Sequence, residues 1–331
     1  MSFARSIRRH TAIRCLFAAL VTATLATVAT PSHALKIMLV NDDGCNAPGI
    51  NTLADALERA GHSVEIYAPA SDQSGQGSRM AVPSATCHGI SFNTSRVDLN
   101  KVTTSKPSRH CIATTIANCS APFPPPFTAN NQVVSASPFE STLVGLQVLN
   151  GAQTPDLVIS GINRGENVGA VINNSGTVNA AVAAFRNGVP GIAVSLGVPA
   201  PDARYAEVAQ LVVRIVDRLQ KNANGGPLLP AQTGLNINYP GIGTPKGILF
   251  TKVGTFSTAT ISPHLQKDGT LTFSAVVDMK PHGTPVAEIE EEGVALREGY
   301  VSISTLDGDW GAAQSDVKEQ LATIAVTAPL Q

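Results

Sequence analysis

Short apolar runs alternate along this chain with stretches of helical spacing, and that alternation limits the possible folds more than any other feature. Ile37–Val40, Val64–Ala68, Leu157–Ile159, Ile192–Ser195 and Leu235–Asn238 each read as a buried strand. Between the first two, Ile50, Leu53, Ala54 and Leu57 recur on one helical face, and Gly61 supplies a stop. After Val133-Val134, Pro138 suits a first helical turn, and Leu143, Val144, Leu146 and Leu149 continue a helix from it. Val178–Arg186 and Ala206–Leu219 read as further helices. Repetition of this kind builds a doubly wound parallel α/β sheet.

In such sheets ligands bind past the carboxyl ends of the strands, so the residues that follow each run matter most. The first run leads into Asn41-Asp42-Asp43-Gly44, and Asp-Gly is a turn signal. Two carboxylates ~4 Å apart repel by about 1 kcal/mol in water and about 4 kcal/mol at an effective dielectric of 20. A divalent cation turns that repulsion into attraction, and hard cations take oxygen ligands. The competing reading is a surface turn whose Asp caps the next helix. The second run is followed by the small polar loop Asp72-Gln73-Ser74-Gly75-Gln76-Gly77-Ser78. The run at Leu157 ends in Ser160-Gly161-Ile162-Asn163-Arg164-Gly165-Glu166-Asn167-Val168-Gly169. Its glycine spacing matches neither a Walker A loop nor a dinucleotide fingerprint. Ser175, Gly176 and Thr177 then open a helix, either as caps or as an anion site built on free N–H groups and the helix dipole.

The first 34 residues read as a removable secretory signal: Arg5, Arg8, Arg9 and Arg14, an apolar run over Leu16–Val28, and Ser32-His33-Ala34 as a cleavage-like site. The apolar run is short for a membrane span, so no membrane association is expected once it is removed. Setting these residues aside lowers the basic count from 23 to 19 against 24 acidic side chains. An acidic chain lacks the basic stripe of a nucleic-acid binder. Cys45, Cys87, Cys111 and Cys119 remain, an even set that predicts two disulfides in an exported protein and leaves three connectivities open. A bridge from Cys45 would brace the acidic turn.

Residues 81–131 break the alternation. They are rich in Ser, Thr, Asn and Pro and read as a disulfide-bearing insertion, with His88 and His110 as surface residues. From 246 to 331 the pattern becomes β-like over Ile248–Lys252, Leu271–Val277 and Tyr300–Ile303, predicting a β-rich C-terminal arm and tail. Glu288–Glu292 reads as a solvated acidic surface, and Ser315–Val326 as a last helix. The organisation expected is a signal over 1–34, a catalytic α/β domain over 35–245 and the arm beyond.

The motifs together resemble the SurE family of survival-protein nucleotidases. The likeness rests on Asn41-Asp42-Asp43-Gly44, Ala68-Pro69 with Asp72-Gln73-Ser74-Gly75, the Ser160–Asn167 loop, Ser175-Gly176-Thr177-Val178, and Arg297-Glu298-Gly299-Tyr300-Val301-Ser302-Ile303, in the family's order. It implies a Rossmann-like three-layer parallel sheet and a C-terminal arm that builds a homodimer or homotetramer. It implies one divalent cation, Mg²⁺ or Mn²⁺, held by Asp42, Asp43, Ser74 and Asn163, all oxygen donors.

The activity the resemblance implies is removal of phosphate from nucleoside monophosphates or other small phosphomonoesters, as a 5′- or 3′-nucleotidase. Asp42 and Asp43 are the expected catalytic residues, serving direct attack by a water that the cation activates. Asn167, Ser175, Gly176 and Thr177 are expected to hold the phosphate. Ser175 as a nucleophile is a weaker alternative, since a cap explains it equally. The rival function is an exported nucleotide- or phosphate-binding protein on the same scaffold without catalysis.

Overall fold

The computed structural model describes residues 34–80, 90–97, 108–116, 133–149 and 151–308. The signal segment, Cys87, His88, Cys119 and the helix expected over 315–326 lie outside them. Among the described residues no helix is long and apolar enough to cross a membrane.

The strands are β1 (Lys36–Val40), β2 (Ser63–Pro69), β3 (Ile90–Val97), β4 (Ser108–Ile116), β5 (Val133–Ser135), β6 (Leu157–Arg164), β7 (Gly191–Leu196) and β8 (Gly234–Tyr239). After them come β9 (Ile248–Thr251), β10 (Ala259–Leu265), β11 (Leu271–Val277) and β12 (Val301–Leu306). The helices are α1 (Pro48–Arg59), α2 (Pro138–Val148), α3 (Gly176–Arg186), α4 (Tyr205–Ala223) and α5 (Glu292–Arg297). One sheet runs β3-β4-β2-β1-β6-β7-β8-β12-β9, with β5 on β4. Its centre, β2-β1-β6-β7-β8, is parallel throughout.

The three layers follow from strand alternation. Ile37 and Leu39 of β1 enter a core with Ile50, Leu53 and Leu57 of α1 and Val208, Leu211, Val212 and Val216 of α4. Met38 and Val40 point the other way, to a core with Ala180 and Ala184 of α3 and, half-buried, Val144 and Leu146 of α2. Successive residues of a strand serve opposite faces, so one apolar run packs both helical layers. At Gly145 the backbone of α2 sits on the sheet so closely that a Cβ would lie 2.5 Å from Met38 Sδ. Ser137 starts α2 with a reciprocal capping box to Glu140, and Pro138 occupies the first turn.

Two expectations change. Within the insertion, β3 and β4 pair antiparallel and β4 lies parallel to β2, so this segment widens the main sheet. The strand expected at Tyr300–Ile303 is β12, which also joins the main sheet, antiparallel to β8, with β9 at its outer side. Sheet pairing is a long-range property that the local β-like pattern does not carry. Among the described residues, only β10 and β11 form a separate hairpin. Cys45 is bonded to Cys111, tying the loop after β1 to β4 across 66 residues.

Candidate active site

The carboxyl end of β1 delivers Asp42 and Asp43 to the point where the loops after β2 and β6 and the start of α3 meet. Asp42 is 3% exposed. Its Oδ1 accepts the Thr177 hydroxyl at 2.7 Å, and the Thr177 N–H also bears on it. Burial nevertheless pushes the Asp42 carboxyl above its usual range. α3 starts hard against this residue: a Cβ on Gly176 would lie 2.9 Å from Asp42 Cβ and 2.8 Å from Pro138 Cγ. The first turn of α3 therefore flanks the carboxylate and presents the positive end of its dipole, with Pro138 of α2 packed against Gly176.

Asp43 accepts the Arg164 N–H at 3.0 Å. The Arg164 guanidinium instead reaches Asp202, at 3.3 Å and in an exposed setting. Burial first, and the Asp42 charge second, push the Asp43 carboxyl up to about 7. The Asp42 carbonyl accepts the Gln73 N–H at 2.7 Å, which brings the second loop alongside. There Asp72 Oδ1 accepts both the Ser74 N–H and the Ser74 hydroxyl, at 2.8 and 2.7 Å. Asp72 was not among the residues expected. The charge of Asp72 raises the pKa of Asp42 and Asp43 alike, so it belongs to the same field. The signal available in the sequence was its position two residues before a hydroxyl, the spacing of an Asx turn.

Asn163 donates its amide to Gly165 O at 2.8 Å, leaving Oδ1 as the end available to a ligand. Asn167 is turned inward. Its amide donates to Ser195 Oγ at 2.9 Å and Thr177 Oγ1 at 3.3 Å. A phosphate oxygen would meet that amide only by exchanging the longer bond. Ser175 Oγ accepts the Val178 N–H as an ordinary N-cap, which favours the cap over the nucleophile. With Thr177 N–H on Asp42 and Val178 N–H on Ser175, the Gly176 N–H is the first-turn donor with no bond among the described residues.

The acidic run Glu288–Glu292 is not uniformly solvated. Glu292 is fully buried. Its Oε1 accepts the Gly169 N–H and its Oε2 the Asn236 amide, each at 2.9 Å. Burial pushes its carboxyl up to about 7. Glu291 accepts the N–H groups of Thr255 and Phe256. Local composition hides both roles, because their partners lie far away in the sequence. His110 stacks on Tyr67 at 4.2 Å and pairs with Glu65. A cavity of about 590 Å³ between Lys36, Glu65, His110 and Leu149 opens at the amino end of β1 and β2, the edge opposite Asp42.

The disulfide and its neighbours brace the acidic turn. Cys45 N–H donates to Pro69 O at 2.8 Å, and Arg109 on β4 donates to Asn46 Oδ1 at 3.1 Å. As a cation site the donors are chemically consistent: two carboxylates raised by burial, a hydroxyl and an amide oxygen, all hard ligands. Among the described residues no three His, Cys, Asp or Glu side chains converge as a cage. A cation here would therefore need Ser74 and Asn163 to complete its shell.

Comparison with known proteins agrees with this geometry. The family model described as Survival protein SurE matches residues 37–260. The 5′-nucleotidase SurE of Geotalea daltonii is 34% identical over 206 residues, covering 62% of this chain and 66% of that protein. The 5′-nucleotidase SurE of Clostridium beijerinckii is 30% identical over 282 residues, covering 83% of this chain and 94% of the relative. The crystal structure of the SurE protein from Aquifex aeolicus superposes with a TM-score of 0.61 at 26% identity, covering 88% of this chain and 99% of that one. The match to the Geotalea relative thus spans about two thirds of its length. A family model that spans most of the described α/β core, met on a sheet whose strand ends carry the family's motifs, establishes that the chain belongs to the SurE family.

Proposed function

We propose that this protein is a phosphoric monoester hydrolase that removes phosphate from nucleoside monophosphates. The observation that carries the reading is the pair of buried Asp42 and half-buried Asp43 at the carboxyl edge of the sheet. Neither side chain is hydrogen-bonded to a cationic group, and the start of α3 is aimed at Asp42. An arrangement of this kind opposes folding unless a ligand completes it, and a cation with a phosphate would do so. The relatives named as 5′-nucleotidases support the substrate class.

Asp42, Asp43, Ser74 and Asn163 are the residues that would hold Mg²⁺ or Mn²⁺. When bound, such a cation polarises a phosphoryl oxygen and acidifies water. The chain's own part is positional and electrostatic. Thr177 fixes the Asp42 carboxylate, and Asp72 orients the Ser74 hydroxyl. A carboxylate of the Asp42–Asp43 pair is the base at hand for the proton of an attacking water. The Gly176 N–H and the dipole of α3 stabilise charge developing on the phosphate.

The same proposal includes export and self-association. The Arg-rich and apolar stretch over residues 1–34 and the Cys45–Cys111 bond support an oxidising compartment. Phe250 at 81% exposure, Leu265 at 75% and Phe273 at 68% support a homodimer or homotetramer built on the β-rich segment after 246.

The test is phosphate release from a panel of nucleoside monophosphates, with Mg²⁺ or Mn²⁺ and with EDTA, by the wild type and by Asp43→Asn. Turnover lost in EDTA and in the variant is the expected result. Nucleotide binding without turnover in every condition would replace the hydrolase by the binding protein.

A further inference from the structure

A polar row crosses the sheet behind the site. In register across four neighbouring strands stand Asn163, Ser195, Asn238 and Ser302, and beside them Asn236 and Ser304. These side chains are buried or nearly so. Two of them, Asn236 and Asn238, grip the loop after β6 through its backbone. Asn238 Oδ1 accepts the Asn167 N–H at 2.8 Å, and the Asn167 carbonyl accepts the Asn236 and Asn238 amides at 2.8 and 3.0 Å. Glu292 closes the arrangement by accepting from Asn236 and from the Gly169 N–H, with the Ser304 hydroxyl also on it. A second clip lies alongside: Glu166 accepts the Thr258 hydroxyl at 2.8 Å and the Val198 N–H at 3.0 Å. Forward of the loop, Asn167 reaches Thr177, and Thr177 holds Asp42.

We propose that Glu292, with Glu166 as a second anchor, is a positioning residue that sets the loop after β6 for phosphate binding, acting through Asn236 and Asn167. This rests on the phosphatase reading of the site. The chemistry requires an acceptor at both carboxylate oxygens of Glu292, because the Gly169 N–H donates to one and the Asn236 amide to the other. Asn236 cannot turn its amide over to help, since its Nδ2 serves Asn167 O as well as Glu292. In Glu292→Gln one side-chain NH₂ faces either the Gly169 N–H or the Asn236 amide, and the loop gives way. Thr258→Val keeps the shape of that buried residue and removes only the hydroxyl bond to Glu166.

The experiment measures kcat and KM for a nucleoside monophosphate, the inhibition constant of inorganic phosphate, and the thermal midpoint, for the wild type and both variants. Positioning predicts KM and the phosphate constant rising together, about tenfold in Glu292→Gln and about threefold in Thr258→Val, with kcat within about threefold. Folded variants whose KM and phosphate constant stay at the wild-type values, with only the midpoint or the active fraction lowered, overturn the positioning role and leave the phosphatase reading standing. A wild type that neither turns over nucleotide nor binds phosphate overturns both. Thr258→Val keeps the test open if Glu292→Gln fails to fold.

Discussion

Replacing Asp43 by Asn should make the cation-free protein more stable while removing its activity. The carboxyl of Asp43 is displaced from 3.8 to about 7, by burial and by the neighbouring Asp42 charge. At about 1.4 kcal/mol per pKa unit, that is roughly 4 kcal/mol acting against the ionised native state. Partial access of water to the side chain and the cost of burying an amide reduce the net gain. About 2 kcal/mol remains, or roughly 5 °C in midpoint for a domain of this size. Asn keeps an oxygen for the Arg164 N–H, so the local geometry survives.

The pH dependence fixes the sign. A carboxyl whose folded pKa is raised is at its most favourable below its unfolded value, near pH 4. It loses that advantage as the pH rises through about 7. The variant should therefore match the wild type near pH 4 and exceed it by the full margin above pH 7.5. The assay is thermal unfolding in EDTA at several pH values, repeated with Mg²⁺ or Mn²⁺. The cation should stabilise the wild type and close the gap. A variant no more stable than the wild type at pH 8 in EDTA, or a gap that ignores pH, would refute the reasoning.

Other perturbations probe the supports of the same site. Thr177→Val removes the hydroxyl that Asp42 accepts at 2.7 Å; a bond to a charged group is worth about 1.5–3 kcal/mol, so kcat/KM should fall about tenfold to a hundredfold in steady-state assays. Gly176→Ala drives a methyl to 2.8 Å from Pro138 Cγ and 2.9 Å from Asp42 Cβ, and urea unfolding should show a loss of about 1–3 kcal/mol. Replacing Cys45 and Cys111 together by Ala releases a closure of 66 residues, for which loop entropy gives about 4 kcal/mol; comparison of urea midpoints with the oxidised wild type reads it directly.

What was legible in the sequence was what is locally determined. The apolar run at Ile37 and the Asp-Gly turn after it identified β1 and the acidic pair, because strand burial and turn chemistry are written within a few residues. Pro138 and Ser137 marked the start of α2 for the same reason. Cys45 was placed as a brace on the acidic turn, but its partner was not, since 66 residues separate the two cysteines. Thr177 is expected on phosphate, and its hydroxyl also donates to Asp42. That bond depends on how α3 packs against β1, which no local pattern carries. Glu292 reads as solvated because three other glutamates, Glu288, Glu290 and Glu291, precede it within four residues, whereas its partners Gly169 and Asn236 come from other strands and loops.

One signal of that inner support was present in the sequence. β8 reads Leu235-Asn236-Ile237-Asn238, and it is buried along its whole length. Leu235 and Ile237 enter the core with α1 and α4, so the period of two sends both asparagines to the opposite face. A buried strand with one apolar face and one amide face has to find partners for those amides. Here the partners are the backbone of Asn167 and the carboxylate of Glu292. Even so, Asn236 Oδ1 and Ser302 Oγ are buried without a partner among the described residues, a cost that an apolar face would have avoided. The sheet thus gives up stability in β8 and β12 and holds a loop in one position by its backbone. Seen this way the segment after 246 is more than an arm. Through β12, Glu292 and Thr258 it supplies the back wall of the site whose front edge is Asp42 and Asp43.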